Sequence, residues 1–229
     1  MQQQLANLKL FKHVDKNTVD KIWQLGKVVN YKKGAHCFKA KEQTVNVYVL
    51  LKGKVAIYNL THNGKRKTIF YLGEGALLND QILKDSVSSV SCESIDECYV
   101  FVIRKDLFLS LMSEDFSLVE AILGDYEHKM FRMGHQLKNT LGCFHLERKV
   151  GSKLWKLSRD FGVTDEKGIY IDIPLSITEL ADFVGAPRES TSRALKKLVE
   201  KELIQVDKKR IYVISPEKLA KFYKTGNID

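Results

Sequence analysis

The stretch GAPRESTSRAL, residues 185–195, sets Arg188, Glu189, Ser192 and Arg193 on one short segment directly behind a Gly-Ala-Pro break. Each side chain carries a directional hydrogen-bonding group: two guanidinium forks, a carboxylate and a hydroxyl. On a helix with Arg188 at 0°, Ser192 falls at about 40°, Glu189 at about 100° and Arg193 at about 140°. Thr191, Ala194, Leu195 and Leu198 fall between about 240° and 340°, so an apolar face packs inward and the polar tetrad faces out. In a major groove, Arg forks onto guanine O6 and N7, Glu accepts from a cytosine amino group, and Ser reaches a base or a phosphate. The chemistry on offer is the reading of base-pair edges. The competing account is a solvated face with an Arg188–Ser192 or Glu189–Arg193 surface pair, which stabilises a helix by only about 0.3–0.5 kcal/mol.

Such a helix must be held at a fixed angle, and the flanking sequence supplies the means. Ser176, with Glu179 three residues later, forms a capping box that opens a helix running to Val184 and stopping at Gly185. Pro187 fits the first turn of the next helix, with Ala186 as its cap. Two strands, LIQV and RIYVIS, then flank the turn Asp207-Lys208-Lys209. Upstream, LERKVGSKLWKLSRDFG reads as a helix and GIYIDIPL as a short strand. Helix, glycine turn, helix and hairpin describe a winged helix-turn-helix. Ser176, Thr178 and Ser190 complete the expected DNA-contacting set.

Between Phe116 and Thr140 there is no proline, and apolar residues recur at Val119, Ile122, Tyr126, Met130, Met133, Leu137 and Leu141. Steps of three or four give a stripe of helix-pairing width on a helix about 35 Å long. A two-fold dimer seam is expected, with a core helix inside the monomer as the alternative. Further upstream, residues 5–26 read as short helices, followed by short apolar runs broken by glycine. Alternation at Val45, Val47, Val49 and at Val55, Ile57 is strand periodicity, and Asn63-Gly64 marks a tight hairpin. The pattern continues to about Arg104, which implies a roll or barrel of short strands. The expected architecture is α+β: residues 1–113 a β-roll sensor domain, 114–140 a dimerisation helix, 141–229 a winged helix-turn-helix DNA-binding domain.

The 229 residues carry a formal charge of +9, which leans toward an anionic partner such as nucleic acid. The excess is spread along the chain: 20 Lys/Arg against 15 Asp/Glu in residues 1–145, and 17 against 13 in 146–229. Charge alone therefore does not locate the interface. The opening MQQQLANLKLFKHVDK has no long apolar core and no small-residue cleavage site, so a cytoplasmic protein with no membrane partner is expected. Cys37, Cys92, Cys98 and Cys143 form no C-x-x-C spacing and read as reduced thiols. No phosphate-binding loop, HExxH or GxSxG motif occurs, and the chain reads as a non-enzyme.

The segment ITELADFVGAPRESTSRALKKLVEKELI resembles the DNA-binding signature of the Crp/Fnr transcription regulators, and YKKGAHCFKAKEQTVNVYVLLKGKVAIYNLTHNGKRKTIFYLGEGALL resembles their cyclic-nucleotide-binding-type β-roll. The resemblance covers nearly the whole chain, in the family's order of roll, long dimer helix and winged helix. It implies a sequence-specific homodimer that binds an inverted-repeat operator in double-stranded DNA and contacts RNA polymerase. It also implies that Arg188, Glu189 and Arg193 read bases, and that Ser192 matches the Ser before the last Arg in the Fnr branch.

The same resemblance frames the sensor. Cyclic-nucleotide-binding members hold the ribose with Gly-Glu and the phosphate with Arg-Ser or Arg-Thr. Here Asn79-Asp80 stands where Gly-Glu would, and the phosphate position falls near Ser88-Ser89, with no Arg. A buried cyclic phosphate without a cation is costly, so no tight cyclic AMP binding is expected unless Lys84 substitutes. Residues 1–36 contain no cysteine, so the N-terminal iron–sulfur ligation of the oxygen-sensing branch is not expected. Haem stays open, because one His or Cys can serve as its ligand. His128, His135, Cys143 and His145 are the candidates, solvated or packed side chains being the plainer account. The effector itself is unknown. A rival function is a signal-binding module that regulates a partner protein, with the winged domain as its contact surface.

Overall fold

The N-terminal strands alternate between two different apolar compartments. The computed structural model describes residues 2–83, 87–142, 145–208 and 210–228. It contains a helix α1 (Gln2–Ala6), a 3-10 turn at Lys9–Phe11, and α2 (Lys16–Leu25), capped by Asp15, whose carboxylate accepts from the amides of Asn17 and Thr18. Seven strands follow: β1 (Lys27–Tyr31), β2 (His36–Phe38), β3 (Asn46–Lys52), β4 (Val55–Leu60), β5 (Arg66–Leu72), β6 (Ser91–Ser94) and β7 (Cys98–Arg104). They form one sheet in the order β1-β7-β3 and another in the order β2-β6-β4-β5. The hairpin expected at Asn63-Gly64 joins β4 to β5, and Gly64 takes the left-handed conformation (φ +68°) that such a turn requires.

The periodicity at Val47 and Val49 marks the strand β3, which is buried on both faces. Val47, Val49 and Leu51 join Phe101, Ile103 and the apolar faces of the helices in one cluster. Tyr48 and Leu50 join Val100, Val102 and the second sheet in the other. Val45, read as part of the alternation, precedes the strand and is exposed. Gly26, just after α2, makes room for this packing: a Cβ there would lie 2.1 Å from Cζ of Phe101, whose ring stacks on Trp23 at 5.7 Å. Gly26→Ala is therefore expected to destabilise the chain by about 1–3 kcal/mol, as overpacking does. A lowered urea midpoint at constant slope would show it; an unchanged midpoint would mean that the ring moves aside freely.

Two helices close this part, α3 (Lys105–Glu114) and the long α4 (Phe116–Gly142). The 27 residues of α4 span about 40 Å. Its apolar stripe divides. Leu118 and Ile122 are buried in the helix-side cluster of the same protomer, and Tyr126 packs against it. Ile122 is 2% exposed, so the expectation that it contacts a partner copy is corrected. Tyr126 turns the same way, its hydroxyl 3.5 Å from the Asn79 carbonyl. Burial pushes its phenol well above the usual range. Lys129 belongs to this inward face too: its ammonium donates to the Leu77 carbonyl at 2.8 Å and pairs with Asp125 at 2.6 Å. The physical reason is helical phase. Residues at 118, 122, 126 and 129 share one side, whereas Phe116, Leu123, Met130 and Leu137, 54–73% exposed, lie on or near the other. Val119 sits between the two sides and is half-buried, and Met133 is 48% exposed.

The C-terminal part comprises α5 (Leu146–Phe161), β8 (Gly162–Asp165), β9 (Gly168–Ile171), α6 (Ile177–Val184), α7 (Arg188–Glu200), β10 (Ile204–Asp207), β11 (Arg210–Val213) and α8 (Pro216–Thr225). Its strands form a sheet in the order β10-β11-β9-β8. Helix α5 packs against α7 and α8 over a core that includes Val150, Leu154, Leu180, Leu198, Leu219 and Phe222. The chain divides into two compact units, Met1–Thr61 with Ile69–Arg132 and His62–Thr68 with Met133–Asp229. Lys84, Cys143 and Lys209, each invoked from sequence, lie outside the described residues.

Candidate nucleic-acid interface

The presentation of the tetrad begins with the helix before it. At the start of α6 the Ser176 hydroxyl accepts from the Glu179 amide at 3.2 Å, and the Glu179 carboxylate accepts from the Ser176 amide at 2.6 Å. This is the expected capping box, which satisfies two amide donors that a helix start otherwise leaves open. Ser176 thus has a structural task at this helix start. At the other end Gly185 adopts φ +77°, and the amides of Gly185 and Ala186 both donate to the Ala181 carbonyl. A side chain at Gly185 would be strained in that conformation, so glycine sets the sharp turn between the helices.

Helix α7 starts one residue later than the sequence suggests. Pro187 is the cap, with extended ψ of 145°, and Arg188 is the first helical residue. Its ring fits either place, because φ of −58° is common to both. The predicted faces are found. Thr191, Ala194, Leu195 and Leu198 are buried, while Arg188, Glu189 and Arg193 are exposed and Ser190 and Ser192 are half-buried. Among the described residues no ion pair engages Arg188, Glu189 or Arg193; the contact recorded is from Arg193 Nη2 to Ser190 Oγ at 3.3 Å. The surface-pair account of these residues therefore has no counterpart in the structure, and three charged groups stand ready for an external partner. Thr178 is exposed on the first turn of α6.

Two features here were not read from sequence. Strand β8 extends the wing sheet, and Lys167 of the β8–β9 turn pairs with Asp207 of the β10–β11 hairpin at 2.6 Å. The ammonium holds the Asp207 carboxyl below its usual range. The guanidinium of Arg210 lies over the Tyr170 ring at 5.0 Å, which restricts a cation beside the wing turn. The signal was present in the basic residues Lys208 and Arg210 beside the turn read between the two strands, a place where basic side chains meet phosphates.

The three thiols among the described residues are sequestered. Cys37, Cys92 and Cys98 are buried in the roll, and burial pushes the Cys98 thiol up to about 11 and raises that of Cys92 well above the usual thiol range. His128 and His135 sit on exposed positions of α4. Among the described residues no three His, Cys, Asp or Glu side chains converge as a metal site, and no helix is long and apolar enough to cross a membrane.

Known proteins share this arrangement. Residues 28–115 match the cyclic nucleotide-binding domain family, and residues 148–222 match the Crp-like helix-turn-helix domain family. The chain is 25% identical over 202 residues to the global nitrogen regulator of Synechococcus elongatus, covering 84% of this chain and 88% of that protein. It is 21% identical over 222 residues to the CRP-like cAMP-activated global transcriptional regulator of Mycobacterium tuberculosis, covering 96% and 99%. Among solved structures, FixK2 from Bradyrhizobium japonicum superposes with a TM-score of 0.73 at 18% identity, over 86% of this chain and 96% of that one. With two domain matches in the family's order, full-length relatives that are transcription regulators, and a helix-turn-helix whose outer face is charged, this chain belongs to the Crp/Fnr family of DNA-binding transcription regulators.

Proposed function

We propose that this regulator acts in the cytoplasm as a homodimer on an inverted-repeat operator with TGA-containing half-sites, contacts RNA polymerase there, and is governed by an unidentified signal at the β-roll. The observation that carries the base-reading part is the outer face of α7, where Arg188, Glu189 and Arg193 are exposed with no ion-pair partner among the described residues. Glu189 and Arg193 lie one turn apart and read neighbouring base pairs around a G·C step. The dimer is supported by the outward apolar face of α4, since Phe116, Leu123, Met130 and Leu137 are large apolar side chains left exposed at seven-residue spacing. A two-fold dimer sets half-site centres about one helical turn apart.

One relative is named for activation by cyclic AMP. The roll of this chain departs from such a site: the polar groups of Asn79 are engaged within the chain and no Arg stands at the phosphate position. Asn79 is 1% exposed; its carbonyl oxygen accepts from the Tyr48 amide at 2.8 Å and its amide donates to the Asn46 carbonyl at 3.0 Å. Selection of preferred sites from random duplex DNA, with and without cell extract, tests the reading. Enrichment of a symmetric TGA-containing site is expected; recovery of no shared sequence would remove the base-reading function.

A further inference from the structure

The segment after β5 contains a carboxylate held as a bound anion would be. Asp80 accepts three hydrogen bonds: from the Ser88 hydroxyl at 2.8 Å, the Ser89 amide at 2.7 Å and the Ser89 hydroxyl at 2.7 Å. Ser88 is 1% exposed, and its hydroxyl proton is shared with the Val90 carbonyl, also 2.8 Å away. The donors are fixed from behind. The Ser88 amide donates to the Glu42 carbonyl at 2.9 Å, and its carbonyl accepts from the Lys41 amide at 2.7 Å. Asn79, the preceding residue, is clamped to β3 on both sides of its amide group. The field of Asp80 is felt by Lys129 and Tyr126 of α4, so a negative charge at this point is coupled to the helix. Two hydroxyls and a backbone amide converging on one oxyanion is the donor set that holds phosphate in proteins. By the resemblance set out above, Ser88 and Ser89 also fall where nucleotide-binding relatives hold theirs.

We propose that Ser88 and Ser89 form an oxyanion site which the chain fills with its own Asp80 carboxylate, shutting out phosphorylated ligands, and that removing this carboxylate opens the site to phosphate. The proposal rests on reading the roll as the sensing part of the regulator. It explains why two serines stand at the phosphate position without an arginine: a tethered carboxylate carries one charge, loses no translational freedom on binding, and needs no added cation to hold it. A free phosphate arriving at the intact site would meet that charge and find its donors taken.

The test uses the full chain and its Asp80→Ala and Asp80→Gly variants, melted in inorganic phosphate, in 3′,5′-cyclic AMP, and in chloride at equal ionic strength. Comparison with wild type removes the general stabilisation that phosphate gives to proteins. Phosphate is expected to raise the melting temperature of each variant by about 2–4 °C more than that of wild type, as ligand binding to the folded state does. Cyclic AMP is expected to leave wild type unmoved. If a variant does not fold in chloride, phosphate is expected to restore its helical circular dichroism. Equal phosphate shifts in wild type and variants, no shift in either variant, or stabilisation of wild type by cyclic AMP would each overturn the proposal. Operator binding is measured separately by anisotropy: its loss in wild type would remove the regulator reading and leave the phosphate result standing.

Discussion

Arg193→Ala is expected to weaken binding to the selected operator by about 1–3 kcal/mol, and to do so unevenly across sequences. Arg193 is exposed on α7, its guanidinium donating to the Ser190 hydroxyl, and its fork suits one guanine edge. Losing it should flatten discrimination at one base pair of each half-site while binding to scrambled duplex barely changes. A cation that touches phosphate behaves otherwise. Replacing Arg210, which lies over Tyr170 beside the wing turn, should weaken all sequences alike and reduce the slope of affinity against salt by about one unit. Binding series over every half-site substitution, at fixed salt, separate the two patterns. An equal loss on cognate and scrambled DNA for Arg193→Ala would make α7 a backbone clamp.

Leu123→Asp combined with Met130→Asp is expected to halve the sedimenting mass while the fold persists. Both side chains are more than half exposed in the single chain, so a carboxylate at either place costs the monomer little. In a helix pair they would be buried without a cation, at a cost of several kcal/mol. Ile122→Asp supplies the contrast. Ile122 lies in the protomer's own core, so that change should unfold the chain and lose its far-ultraviolet signal. A double variant that sediments with unchanged mass would place any dimer contact elsewhere than on this face of α4.

The difference between these helix positions shows what the sequence could and could not disclose. Steps of three or four from Val119 to Leu137 mark an apolar stripe, and α4 is a helix throughout that range. The pattern is too broad for one partner: Ile122 and Tyr126 go inward while Met130 and Leu137 go outward, and periodicity alone cannot assign two adjoining faces to two different contacts. The helix-turn-helix was more legible, because local chemistry fixes it. Ser176 with Glu179 fixes one helix start, Gly185 one helix end, and the residues between Thr191 and Leu198 one buried side. Strand β8 went unread, since all four of its residues are exposed and carry no burial pattern. Helix α8 went unread as well, although Ser215 and Pro216 are a capping residue and a first-turn proline. The clasp on Asp80 was out of reach for a different reason: Asp80 and Ser89 are brought together by the return of a loop, and spacing along the chain does not encode where a loop returns.

The sheet β1-β7-β3 has a mechanical meaning beyond its place in the fold. Along β7, Cys98, Val100 and Val102 join the apolar cluster of the roll, while Phe101 and Ile103 join the cluster that also holds Leu118 and Ile122 of α4. Along β3 and β7 the sheet is thus a wall one residue thick with an apolar cluster on each face. Packing at the density of an organic crystal leaves such a wall no slack. On that packing, a displacement of Val100 or Val102 within the roll is expected to be felt by Phe101 and Ile103 on the opposite face, a coupling that needs no chain of polar groups.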